Sequence, residues 1–216
     1  MYVNRRTAEL MGQDVNTLNM ITCHLGNGAS ITAIKNGKCV NTSMGLTPLG
    51  GIMMGTRSGD IDPTVVFYMM KKLECTPDEM DTFLNKRSGM LGVSGISSDA
   101  RDIQQAVDAG NERAKLTVDL YTNRVINVVG GYYMQLGHVD AIAFTAGLGE
   151  NDAQMRERIL KDLEEGMGLS IDYELNKTIH GKECLISKPD SKIKVYVVPT
   201  NEELVIARDT CRLLGL

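Results

Sequence analysis

The sequence predicts an α/β domain built on a mixed β-sheet flanked by helices, and three observations carry that expectation. Residues 19–62 alternate short apolar runs with glycine turns. Residues 114–136 carry a helical stripe that leads into the apolar run 141–144. A second apolar run, 195–198, follows another amphipathic segment. Hairpins first, then helices alternating with strands, bring antiparallel and parallel pairings into one sheet.

Residues 2–12 read as a helix in which Val3, Ala8, Leu10 and Met11 are the apolar positions and Gly12 is the stop. Met20, Ile21 and Cys23 lead into Leu25-Gly26-Asn27-Gly28, and Ser30, Thr32 and Ile34 follow before Asn36-Gly37, a dipeptide suited to the positive φ of a hairpin turn. The turn Gly26-Asn27-Gly28 lacks Cβ at two of three positions, so backbone N–H groups can close around an anion; the same turn also serves a plain hairpin. Gly50-Gly51 and Gly55-Thr56-Arg57-Ser58-Gly59-Asp60 then set Arg57 in a second flexible loop, where its planar fork suits an anion.

Asp62-Pro63, followed by Val65, Val66, Tyr68, Met69 and Leu73, predicts a helix with proline in its first turn, and Thr76-Pro77-Asp78-Glu79 opens another. Ser97-Ser98-Asp99 precedes Ile103, Ala106 and Val107, which gives Asp99 a place as N-cap or first-turn acid. Ala114, Val118, Tyr121, Val125, Val128, Tyr132 and Leu136 form the long stripe, interrupted near its end by Gly130 and Gly131. Each glycine costs a helix about 1 kcal/mol relative to alanine, so a neighbour packed tightly against them is expected. The strand 141–144 ends in the loop Thr145-Ala146-Gly147-Leu148-Gly149-Glu150-Asn151, which precedes a helix over 153–165 with Met155, Ile159 and Leu163 on one face. That arrangement suits a nucleotide and also describes an ordinary βα connection.

Residues 166–192 are polar and irregular apart from a strand at Cys184-Leu185-Ile186. Pro199 ends the strand 195–198, Thr200 or Asn201 caps the last helix, and Leu204, Ala207, Cys211 and Leu214 form its stripe. Glu202 and Glu203 in its first turn favour the helix dipole.

A chain of 216 residues can bury a sizeable core, and a net charge of −4 with mixed signs offers no basic face for nucleic acid. No apolar stretch is long enough for a membrane span and the N-terminus lacks a signal-peptide core, so a soluble cytoplasmic protein is expected. The five cysteines form no C-x-x-C pair and read as free thiols. Cys23 and His24 adjoin on a strand and point to opposite faces, which excludes a thiol–imidazole couple. His138 and His180 stand apart and read as surface or hydrogen-bonded histidines rather than metal ligands, and the thirteen methionines as core filling. No repeat or low-complexity linker divides the chain.

Five stretches together resemble the acetate kinase family. They are His24-Leu25-Gly26-Asn27-Gly28, Met54 to Asp60, Ser97-Ser98-Asp99 with Arg101, Phe144-Thr145-Ala146-Gly147 with Gly149-Glu150-Asn151, and Pro199-Thr200-Asn201-Glu202-Glu203. The match runs in order along the family's C-terminal half. It implies the ribonuclease-H-like domain of an actin-like phosphotransferase. Residues 1–198 would form the nucleotide-binding and dimerisation domain, and 199–216 a terminal helix that packs on the N-terminal domain in full-length members. Here that helix is expected against its own domain or a neighbouring chain.

The activity implied is reversible transfer of the ATP γ-phosphoryl group to acetate, with Mg2+, by a homodimer. On this sequence, His24, Leu25, Gly26, Asn27 and Gly28 would cradle phosphates and Arg57 would stabilise the transferring phosphoryl. Asp99, Ala100 and Arg101 would hold adenosine together with Gly147, Leu148, Gly149, Glu150 and Asn151, Arg101 stacking on or bracketing it. Glu202 would help site magnesium. Ala100 stands where the family usually has an aromatic residue, which removes a stacking contribution. The family's N-terminal half carries the catalytic aspartate, the acetate-holding arginine, a magnesium-side asparagine and a transition-state histidine; its His-Gly-Thr-Ser-His segment would end directly before Tyr2. The chain alone is therefore expected to be a very weak kinase. A non-catalytic nucleotide-binding and dimerisation module, or half of a propionate or butyrate kinase, are the alternatives.

Overall fold

A computed structural model describes residues 2–215, with the side chains of Glu202, Leu204, Val205 and Asp209 outside the described set. The elements run α1 (Tyr2–Met11), β1 (Met20–Leu25), β2 (Ala29–Lys35), β3 (Lys38–Thr42), α2 (Pro63–Leu73), α3 (Pro77–Lys86), α4 (Gly89–Ser94), α5 (Ala100–Asp108) and α6 (Glu112–Leu136). They continue with β4 (Ala141–Thr145), α7 (Ala146–Asn151), α8 (Ala153–Met167), α9 (Tyr173–Thr178), β5 (Cys184–Leu185), β6 (Lys194–Val197) and α10 (Glu202–Leu214).

The six strands form one mixed sheet in the order β3-β2-β1-β4-β6-β5. β1, β2 and β3 are an antiparallel meander, as the two turn signals predict, and Asn36 and Gly37 adopt φ of 50° and 73° at the second turn. β1, β4 and β6 run parallel, with Cys23 beside Phe144 and Phe144 beside Val197. The period-two alternation of β1 and β4 divides their side chains between two cores. Ile21, Cys23, Leu25, Ile142 and Phe144 join the larger core under α6 and α8. Met20, Ala141 and Ala143 face the smaller one, closed by Ala8 of α1.

Local chemistry accounts for most helix starts. Asp62, Asp99, Asn111 and Asp152 each accept a hydrogen bond from the first turn they precede, and Thr76 with Glu79 completes a capping box. Gly12, at φ 65°, follows the end of α1.

Three expectations change. The 145–151 stretch is not a loop: β4 passes directly into the short helix α7, with Ala146 at φ 64°. α6 runs unbroken through Gly130 and Gly131, and a Cβ at either would meet nothing within 4 Å, so no tight neighbour compensates them. Its buried stripe takes Val129 where Val128 was expected, Val128 packing half-buried at the edge of the same core. The helix predicted after Asp62-Pro63 is α2, beside α3, and it buries none of its apolar residues.

At the other end of the chain, Ala207, Cys211 and Leu214 of α10 are exposed, so the described part of its stripe does not pack on its own domain. Leu204 and the side chain of Glu202 lie outside the described residues.

Candidate functional site

A cavity of about 870 Å³ opens where β1 and β4 end side by side. The carboxyl ends of adjacent parallel strands are the usual place for a ligand in an open α/β sheet. Its floor is made by Gly26 and Asn27 after β1 and by Gly147 and Leu148 after β4. Asp99, Ala100 and Arg101 at the start of α5 form one wall, and Asn151 lies on the side of α7. Eight of the predicted residues thus meet around one space.

The two floor turns approach closely because Gly26 has no side chain. A Cβ there would lie 3.3 Å from the Gly28 carbonyl oxygen, 3.5 Å from the Ala146 Cβ and 3.9 Å from the Gly147 nitrogen. Gly28 plays the same part toward Arg57, whose Nη1 would lie 3.1 Å from a Cβ at that position. Half-buried Arg57 otherwise donates only long contacts from Nη1, to the Pro48 carbonyl at 3.5 Å and the Met54 sulfur at 3.6 Å. Among the described residues no carboxylate comes within ion-pair distance of it. A guanidinium held beside a glycine turn without a carboxylate is ready for an outside anion.

Asp99 does two jobs at once. Its Oδ1 caps α5 by accepting from the Arg101 backbone N–H at 2.9 Å, and its Oδ2 accepts from Arg101 Nη2 at 2.6 Å. The Arg101 side chain and backbone hold the Asp99 carboxyl down at about 2. Arg101 remains 85% exposed, tethered at the cavity wall.

Other predicted residues take different places. His24 lies half-buried within β1, between Ser30 and Thr145, and Leu25 and Gly149 are buried beneath the floor. Cys23 points the opposite way and burial pushes its thiol up to about 12, so it is no nucleophile. The carboxylate of Glu150 is engaged by Ala146 and Thr200 within the protein.

The cavity also has residues that the motifs did not mark. Gln104, Gln105 and Asp108 continue the α5 wall, and Lys177 and His180 close the far side. The α5 residues were findable, since Ile103, Ala106 and Val107 define the apolar face and leave those three opposite it. Lys177 and His180 sit in the polar segment 166–192, which gave no pattern. His180 Nδ1 lies 2.9 Å from the Asn151 carbonyl oxygen and so donates to it, leaving Nε2 toward solvent and cavity.

Beneath this wall lies Arg156, fully buried on α8. It donates to the Asn176 side chain at 2.7 Å and to the carbonyls of Gly149, Asn176 and Ile179 at 3.0, 3.0 and 2.9 Å. Burial lowers its pKa to about 10, so it stays charged at neutral pH while joining α7, α8 and α9. No three His, Cys, Asp or Glu residues among those described cluster as a metal site.

Comparison with known proteins adds the family context. The Acetokinase family model matches residues 1–208. An acetate kinase from Finegoldia magna is 56% identical over 212 residues, covering 98% of this chain and 53% of that protein. The crystal structure of Porphyromonas gingivalis acetate kinase superposes with a TM-score of 0.94 at 48% identity, over 98% of this chain and 53% of that one. A propionate kinase from Francisella tularensis gives a TM-score of 0.87 at 41% identity, over 95% and 52%. The mixed sheet with flanking helices is thus the ribonuclease-H-like, actin-like fold of these kinases. The chain spans about half the length of the curated relatives it matches.

Proposed function

The chain belongs to the acetokinase family, and from that premise we propose that it is the nucleotide-binding and dimerisation half of an acetate kinase, which moves the γ-phosphoryl group of ATP reversibly to acetate. The observation that carries this reading is the convergence of the β1 turn, the β4 exit and the start of α5 on one cavity of about 870 Å³, within the size range of small-molecule sites. In this reading, the backbone of Gly26 and Asn27 on the cavity floor, with the adjoining Gly28, lies over the phosphates, and Arg57 beside Gly28 neutralises charge on the transferring phosphoryl group. Asp99, Arg101 and, from α7, Gly147, Leu148 and Asn151 hold the adenosine side. Phosphoryl transfer needs positioning and charge neutralisation more than covalent chemistry, and these residues offer both.

Magnesium fits this reading as a passenger on the nucleotide. The carboxylates of Asp99, Asp108 and Asp152 beside the cavity each already accept a hydrogen bond. A hard cation would be held by phosphate oxygens and water, with Glu202 as the proposed protein ligand. It would supply charge neutralisation.

Transfer to acetate requires groups that the family carries in its other half. Each electrostatic stabiliser lost costs on the order of 100-fold in rate, so this chain alone is a very weak kinase. The likeness to a propionate kinase supports a second acyl substrate, since nothing in the nucleotide cavity selects the acyl chain. The exposed apolar side chains of α2 and α3 support a homodimer formed through this half, and the reading places the protein in the cytoplasm.

Isothermal titration with Mg·ADP tests the assignment, with the double variant Asp99→Ala, Arg101→Ala as control. Saturable binding that the variant loses is expected. No binding, together with no acetyl phosphate formation after adding the N-terminal half of a full-length relative, would sink it; binding without such recovery would leave a non-catalytic module.

A further inference from the structure

Glu150 uses one oxygen to hold two parts of the chain that are fifty residues apart. Its Oε1 accepts from the Ala146 N–H at 2.7 Å and from the N–H and hydroxyl of Thr200 at 3.0 and 3.2 Å, with the Thr145 hydroxyl at 3.5 Å. Ala146 is the residue at which β4 leaves the sheet, and Thr200 lies just beyond the end of the neighbouring strand β6. Ala146 turns out at φ 64°, a conformation that alanine keeps only where its surroundings hold it. The turn so held carries Gly147 into the cavity floor and meets Gly26.

We infer that Glu150 is a positioning residue, whose Oε1 locks the β4–α7 turn to the turn that leads into α10, so that the cavity floor and the start of the terminal helix are set as one piece. It acts as an acceptor inside the protein rather than as a group that touches the ligand. This distinguishes it from its neighbours in the motif, Gly147 and Asn151, which do line the cavity. The role needs an oxygen at this reach and no charge.

Amide hydrogen exchange on the whole chain, followed residue by residue in Glu150→Gln and Glu150→Ala, tests this. Glutamine keeps an Oε1 acceptor of the same reach, so the amides of Ala146 and Thr200 should stay as protected as in the parent. Alanine should speed both together by about tenfold or more, the loss expected when a buried N–H is left without its acceptor, while the Ile159 amide in α8 is unchanged. Protection retained in Glu150→Ala, release of one amide without the other, or equal release in Glu150→Gln would each overturn the inference. Should Glu150→Ala fail to fold, Glu150→Asp takes its place: one methylene shorter, it withdraws the shared oxygen and should free the Ala146 and Thr200 amides together, and unchanged exchange would overturn the lock.

A second readout rests on the nucleotide reading. Mg·ADP should bind Glu150→Gln as it binds the parent and bind Glu150→Ala about tenfold more weakly. Weak binding by Glu150→Gln with both amides protected would mean that Glu150 touches the ligand, against the inference. If the parent itself fails to bind, the nucleotide reading falls and the exchange experiment still decides the role of Glu150.

Discussion

Single residues in this site are set by their partners more than by their type. Asp99 shows it through pH. Its carboxyl is held at about 2 against an ordinary 3.8, so its contribution to stability is fully present above about pH 3.8 and is lost as pH falls through about 2. Because the Asp99 side chain is 39% exposed, solvent screens the pair and the effect on unfolding is small. The sensitive measurement is the carboxyl chemical shift against pH. In Arg101→Ala the Asp99 midpoint should rise toward the ordinary range without reaching it, since the backbone N–H of residue 101 still donates; an unchanged midpoint would mean that the guanidinium is not its partner. Arg156 teaches the complementary point. An arginine between Met155 and Glu157 on an amphipathic helix reads as a solvent face, yet it is completely buried with four acceptors on three residues, Gly149, Asn176 and Ile179.

At the scale of elements, features encoded within a few residues were legible and features that need distant partners were not. Asp62, Thr76 and Asp99 announced their helices, and Asn36-Gly37 its hairpin, because caps and turns are satisfied locally. α7 was not legible, since Gly147 and Gly149 argue for a loop, and the Glu150 side chain that accepts from the Ala146 N–H carries no such role in the pattern. α9 was hidden in a polar segment, and with it the side of the cavity formed by Lys177 and His180. The order of the sheet, which brings the β1 and β4 turns together, is set by pairings that no local pattern contains. The two glycines of α6 give a test at this scale. Gly131 is exposed and open around its Cβ position, so Gly131→Ala should stabilise the chain by about 1 kcal/mol in urea unfolding. A loss of stability would mean that another copy or domain occupies that space.

The whole molecule presents an apolar surface that its own fold leaves uncovered. Phe67 and Tyr68 of α2 are 63% and 59% exposed, beside Val65 and Leu73 on the same helix, a concentration that marks an interface. If the proposed homodimer forms through this face, the double variant Phe67→Glu, Tyr68→Glu should convert it to a monomer in sedimentation equilibrium while Mg·ADP still binds, the cavity lying on other elements. A variant that stays dimeric would move the interface elsewhere. The sheet order also bears on how the chain is made. β1 ends at residue 25, and its inner neighbour β4 begins only at residue 141. A ribosome adding about 5–20 residues per second takes roughly 6 to 23 s to cross that gap. Throughout this interval the hairpin of β1 and β2 has one hydrogen-bonding edge open, and Ile21, Cys23 and Leu25 wait for α6, over residues 112–136, to cover them. The central position of β1 therefore leaves the nascent chain with an unpaired strand edge for most of its synthesis, long before there is a cavity to fill.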